Sequence, residues 1–272
     1  MRAQSTRRSF LGGLAMLLGA GPLAAAGSDS EQTPAATSGP GVGDLFPATD
    51  PELVQALVTV SHSDVVEVRR LVERRPSLAR ASWDWGFGDW ETGLGAASHT
   101  GRREIAEVLL AHGARPTIFS TAMMGQLDVV KTFIAARPGV QRTLGPHGLT
   151  LLSHARAGGA DAAAVVAYLE SVGDADVRPA TQPLAAGDRD AVVGRYVFGP
   201  GARDVFEVDV RNDQLGILRP GGTRRILFHT GELVFFPSGV PSVKIAFARQ
   251  GAHVTQLTVA DPDVLVTARR GA

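Results

Sequence analysis

The sequence predicts a multidomain α + β protein, in which an all-α solenoid of repeated helix pairs precedes an antiparallel β meander or small barrel. Three observations predict it. A helix-pair pattern recurs across residues 48–177. Apolar–polar alternation replaces it over residues 178–272. A basic, then apolar, then small-residue stretch at residues 1–26 stands apart from both, and residues 27–47 join it to the rest as a polar linker.

Composition narrows the function. With Lys+Arg and Asp+Glu at 27 each among 272 residues, there is no basic excess of the kind a nucleic-acid binder carries. Cysteine is absent, which excludes disulfides, thiolate metal sites, cysteine nucleophiles and lipid attachment at a leader cysteine. The opening segment, "MRAQSTRRSFLGGLAMLLGAGPLAAAGSDS", sets Arg7 and Arg8 before Ser9, Phe10 and Leu11, then a short apolar run, then Ala24, Ala25 and Ala26. This is the layout of a signal peptide cleaved between Ala26 and Gly27. The run is shorter than the roughly 20 residues of a spanning helix, and Gly12, Gly13 and Pro22 interrupt it, so no stable membrane insertion is expected after cleavage. The paired arginines resemble the twin-arginine export motif, which implies a periplasmic or secreted bacterial protein. Losing Arg2, Arg7 and Arg8 with the leader shifts the net charge from zero to about −3. The linker "GSDSEQTPAATSGPGVGDLFP" reads as disordered.

The best-formed helix pair is "TGLGAASHTGRREIAEVLLAHGARP", residues 92–116. Small residues at 95–98 allow close helix packing; Ile105, Val108 and Leu109 make an apolar stripe, and Gly113 ends the second helix. The segment resembles the ankyrin repeat, T-P-L-H-x-A-A-x-x-G-H-x-E-I-V-x-x-L-L-x-x-G-A, departing from it at Gly93, Gly95, Ser98 and Arg102. Related units lie at 53–78, 121–139 and 148–173. Glu67 to Glu104 spans 37 residues, Gly101 to Gly125 spans 24, and Gly125 to Gly159 spans 34. The unit in this family is about 33, so the short step leaves no room for a projecting hairpin and the long step leaves residues to spare in the segment "WDWGFGDWE". That segment, residues 83–91, holds all three tryptophans.

The resemblance implies that this connector and the exposed side of the first helices form a concave partner surface. Trp83, Asp84, Trp85, Phe87, Asp89 and Trp90 would contribute from the connector, an aromatic and acidic mixture suited to an interface. The same aromatics could instead seal an exposed end of the array. His99, Thr100, Met123 and Met124 precede the repeat glycines and would extend the surface, unless the methionines turn into the stack. His62 and Ser63 hold the corresponding places in the first unit.

Catalytic and metal chemistry find little support at this stage. Ser61–His62, Ser98–His99 and Ser153–His154 are adjacent on helices and point in different directions. His62 and His99 sit on stacked helices about 8–10 Å apart, too far to share a zinc ion unless their side chains converge, and His147 in "GPHG" reads as part of a turn. No catalytic residue, metal site or cofactor is expected.

In the last part Phe206, Val208 and Val210 alternate with Glu207, Asp209 and Arg211, and turn signals such as Asn212–Asp213 and Gln250–Gly251 recur every 8–12 residues. Gly194–Arg195–Tyr196 and "VTQLTV" resemble the small lipocalin-like β domains that trail some exported bacterial hydrolases. The layout as a whole resembles bacterial twin-arginine-exported ankyrin-repeat proteins. The expectation is a non-enzymatic module that binds an unidentified periplasmic or extracellular protein and no nucleic acid. A small apolar ligand in the β domain, lined by Phe228, Phe235, Phe236 and Phe247, is the alternative, with a hydrolase built on the Ser–His pairs after it.

Overall fold

A computed structural model describes residues 47–262 and 264–271, which fall in one compact unit. The expected signal peptide with its Ala26–Gly27 cleavage site, and the expected linker up to residue 46, lie outside the described residues.

Eight short helices come in pairs: α1 (Pro51–Val60) with α2 (Val65–Arg74), α3 (Gly93–His99) with α4 (Arg103–Ala111), α5 (Ile118–Met123) with α6 (Leu127–Ala136), and α7 (Leu151–Ala157) with α8 (Ala163–Val172). The first helix of each pair starts at a side-chain cap. Asp50, Thr92, Thr117 and Thr150 accept from the backbone N–H of Glu52, Gly95, Ser120 and Ser153, satisfying donors that the first turn leaves free. Between α2 and α3 the chain makes a 3-10 turn and a hairpin of β1 (Ser82–Asp84) and β2 (Trp90–Thr92).

A last helix, α9 (Ala186–Val192), leads into β3 (Gly194–Val197), β4 (Val205–Arg211), β5 (Gln214–Leu218), β6 (Arg225–Gly231), β7 (Val234–Pro237), β8 (Lys244–Gln250), β9 (His253–Asp261) and β10 (Val264–Arg270). Each strand pairs antiparallel with the next, and β10 returns to pair with β3, closing an eight-stranded barrel. Asn212 and Asp213 both take positive φ, the two-residue turn that matches strand twist between β4 and β5. Tyr196, Phe235, Ile245, Phe247 and Leu257 fill the interior.

The expected fold class, an ankyrin solenoid followed by a meander or small barrel, is corrected. Among the described residues the protein combines nine short helices with a closed barrel, and the helices are not arranged as an ankyrin solenoid. The first helices do stack, α1 on α3, α3 on α5 and α5 on α7. The second row is broken: α2 meets α4 and α6 meets α8, while α4 and α6 hardly touch. The apolar core accordingly divides into two clusters, one around α1–α4 and one around α5–α8, in place of one continuous core. The 24-residue step explains the break, because it is too short to set a second pair in register on the first. The segment joining α6 to α7 is also irregular, made of two 3-10 turns, and it folds back toward the barrel.

Close helix approach is concentrated at glycines. Gly101 has φ +68, and a Cβ placed there would lie 2.2 Å from the Ala157 carbonyl oxygen. Gly113 also has positive φ, +88, but faces open space. Gly113→Ala is expected to lose about 1 kcal/mol from the left-handed conformation alone, and Gly101→Ala at least about 2 kcal/mol more because backbone must move. Urea unfolding of the two variants checks the difference.

Candidate metal centre

The hairpin between α2 and α3 reaches from the helices into the barrel. Its turn is closed by the Trp85 N–H on the Asp89 carbonyl at 3.0 Å, and Gly86, Phe87 and Gly88 all take positive φ. Phe87 packs against the barrel core. That burial offsets the cost of about 1–2 kcal/mol for a bulky residue in the left-handed region.

Glu91 lies just behind this turn with its side chain fully buried. Three imidazoles surround it. The Nε2 atoms of His62, His99 and His147 stand 3.4, 2.9 and 3.3 Å from its carboxylate oxygens. The four donor atoms lie within 4.8 Å of one another. They come from the end of α1, from β2, from the last turn of α3 and from the 3-10 turn Pro146–Gly148. A tetrahedral zinc ion with N and O ligands has donor–donor edges of about 3.3 Å, which the Glu91–imidazole separations bracket.

The rings are oriented through their other nitrogens. His62 Nδ1 faces the carbonyl oxygens of Val58 and Thr59 at 3.0 and 3.1 Å, and His147 Nδ1 faces Asp89 Oδ2 at 2.8 Å. All three partners are acceptors, so Nδ1 of His62 and of His147 carries a hydrogen and donates, which leaves Nε2 of each ring facing Glu91. Backbone carbonyl and carboxylate partners of this kind hold histidine in its metal-ligating tautomer. The Trp85 indole N–H donates to Glu91 Oε2 at 2.8 Å, fixing the carboxylate as well.

Asp89 extends the network. Its Oδ1 accepts from the His147 backbone N–H at 2.9 Å, and its Oδ2 accepts from both His147 Nδ1 and Arg225 Nη2. This double grip holds His147 at φ +59, a conformation a non-glycine residue seldom keeps without support. Burial alone would raise both carboxyl groups. Hydrogen bonds from His147 and His99 overcome it at Glu91 and bring that group down to about 2, and bonds from His147 and Arg225 hold Asp89 low. Burial would lower His147, yet Asp89 and Glu91 push it up to about 9. Glu91, Asp89, His147 and Arg225 thus form a charge-balanced set without a metal ion. His154, behind His99 at 6.2 Å between ring centroids, is buried, pushed down to about 3 by desolvation, and has no partner at either nitrogen.

The residues expected to form a partner surface are dispersed. Asp89 is buried, Met123 is fully buried, Trp85 bonds to Glu91 and Phe87 meets the barrel. Trp83 and Asp84 are half-buried on β1, and Asp84 accepts from the N–H groups of Gly86 and Gly88. Trp90 is 61% exposed, and Thr100 is exposed with its hydroxyl on the Ala96 carbonyl. Met124 is half-buried, its sulfur accepting from Arg103. His99 alone of these joins the four-residue cluster. The spacing argument kept His62 and His99 apart, whereas their rings converge to 5.0 Å between centroids. His147, read as a turn residue, does sit in a turn and completes the cluster; the sequence reading passed over Glu91 and Arg225 altogether. The recurrence of histidine before the repeat glycine was the one usable signal. Comparison with protein-family models, with curated proteins and with solved structures returned no match. Among the described residues no helix is long and apolar enough to cross a membrane.

Asp89 and Arg225 are 3% and 6% exposed, so removing one strands the other charge. Asp89→Ala is expected to cost about 3–5 kcal/mol. The double change Asp89→Leu with Arg225→Met is expected to cost less than the single one, because it removes both charges. Equilibrium unfolding of the two variants tests this ordering.

Proposed function

We propose that this protein binds one divalent transition-metal ion, zinc first, through His62, Glu91, His99 and His147, and that the ion's role is to be held. The observation that carries the reading is the convergence of three imidazole Nε2 atoms and one buried carboxylate oxygen within 4.8 Å of one another. Each of the four atoms can ligate a divalent ion once any proton on it is displaced. Without a metal ion, a His147 imidazolium and a His99 Nε2–H satisfy Glu91, while charging all three rings would set imidazolium centroids 5.0–6.4 Å apart and mutually repulsive. One dication meets all four donors, and an N3O set suits zinc, with copper, nickel and cobalt as competitors.

Four protein donors make a closed zinc site, the arrangement associated with structural roles, whereas catalytic zinc keeps a position for water. The cavities bordering the hairpin on either side are lined by none of the three histidines. Both features support a non-enzymatic protein that retains or senses a metal ion. The export signal expected from residues 1–26 would put that activity outside the bacterial cytoplasm.

The test is metal titration of chelator-treated protein. One equivalent of zinc per chain is expected, with a rise in melting temperature that grows with free zinc. Cobalt(II) should give the intense visible bands of a tetrahedral site. Glu91→Gln and His62→Ala, the latter at a partly exposed side chain, should each weaken zinc binding by at least about 100-fold. Failure of the wild-type protein to take up stoichiometric metal, or wild-type affinity retained in both variants, would overturn the reading.

A further inference from the structure

A second site lies on the barrel side of the hairpin. One end of the barrel, where β4, β6 and β10 begin and β5 and β9 end, is left open, and the hairpin tip covers it incompletely. The space between them is a cavity of about 420 Å³. Its lining is mixed, with an apolar part from Phe87 on the hairpin and Phe206, Ile217, Val259 and Val266 on the strands. The size and lining are those of a small-molecule site. The barrel interior beyond it is packed with side chains, so the four phenylalanines expected to line a ligand chamber do not form one. Phe235 and Phe247 belong to the core, Phe228 is 39% exposed, and none of the four borders this cavity.

Among the polar residues of the cavity, Arg225 stands out. It is 5% exposed, it borders the cavity, and it meets Asp89 through Nη2 alone. Its Nε is buried without a hydrogen-bond partner. A buried guanidinium with donors unmet is an uncommon expense for a fold, because leaving a buried donor unpaired costs about 1–3 kcal/mol. Two of the other three charges at the cavity are matched. Arg219 donates to the Arg203 carbonyl and to Asp204, and Asp84 accepts two backbone N–H groups. Asp261 is the last residue of β9, at the rim.

We propose that this cavity binds a small carboxylate with an apolar body, its carboxylate received by Arg225 and its chain lying on Phe206, Val259 and Val266. A planar fork accepts a carboxylate with directional, charge-assisted bonds that a neutral head group does not match. The cavity has no residue in common with the four proposed metal ligands, so the inference stands whether or not the metal reading does.

Titration of the full chain with octanoate, followed by calorimetry and by tryptophan fluorescence, to which Trp85 in the cavity wall contributes, tests the proposal. Saturable binding of one octanoate per chain is expected, at least about tenfold tighter than 1-octanol. Val266→Phe, which fills the cavity, should weaken octanoate by at least about tenfold while the circular dichroism of the barrel is unchanged. Arg225→Lys keeps a cation beside Asp89 and removes the fork, and should bring octanoate and octanol to within about threefold. Affinity should be the same with a chelator present. Absence of saturable binding to folded protein, equal affinity for octanol, indifference to Val266→Phe, or binding abolished by the chelator, which would put the carboxylate on a metal ion, would each overturn the assignment.

Discussion

The carboxylate of Asp89 is the contact on which the rest of the molecule depends. It is one residue of a short hairpin, yet it accepts hydrogen bonds from a barrel strand and from the turn that precedes α7. Arg225 is 136 residues away in sequence, so the bond closes a long loop at a cost in chain entropy. What offsets that cost is burial on both sides of the bond. Phe87 enters the barrel cluster in front of it, and Glu91 sits with its imidazoles behind it. A carboxylate in this position holds its charge only while two donors face it from opposite parts of the chain. It therefore makes the placement of the barrel a condition for the placement of His147.

The same geometry explains how three histidines come to share one acid. His62 is oriented by backbone carbonyls of its own helix and would point the same way in an isolated α1. His147 has no such local support. Its ring is turned by Asp89, and its backbone is held in the left-handed region by the same group. One part of the cluster is set by local structure and the other by tertiary structure. A site built this way has its affinity tied to the integrity of the hairpin, since loosening the tip releases a ligand's orienting partner before it releases the ligand.

The sequence made some of this legible and hid the rest for identifiable reasons. Thr92 and Thr150 mark helix starts because capping is a local interaction, whereas the third unit, read from residue 121, in fact starts at the Thr117 cap. The Asn212–Asp213 turn announces a hairpin for the same reason. Similarity between helix pairs was read as a solenoid, but local pattern does not fix how one pair meets the next, and the 24-residue step broke the second row. The histidine cluster was missed through a distance argument that used helix axes. Imidazole side chains reach inward from both helices, and the acid that joins them comes from the connector, in a segment whose aromatics drew attention away from Glu91. Arg225 read as one charge among many on a strand of alternating pattern; only the closed barrel turns it inward toward Asp89.

The tryptophan-rich connector then has a physical account in which its residues do different things. Trp85 spends its indole N–H on Glu91, Phe87 supplies apolar area to the barrel, and Asp89 and Glu91 carry the two charges. Trp90, between those two acids in a strand of alternating direction, must point the other way, and it is exposed. Phe87 and His147, two non-glycine residues in the left-handed region, belong to the two segments that meet at Asp89. Strain of that kind persists where surrounding contacts over-determine the backbone. Here each strained residue is held by a partner from another part of the chain, Phe87 by the barrel cluster and His147 by Asp89. The hairpin is therefore better described as a bolt between helices and barrel than as a surface projected toward solvent. The proposed ion and the proposed carboxylate lie on its two sides, and each would add contacts to an element already fixed at both ends.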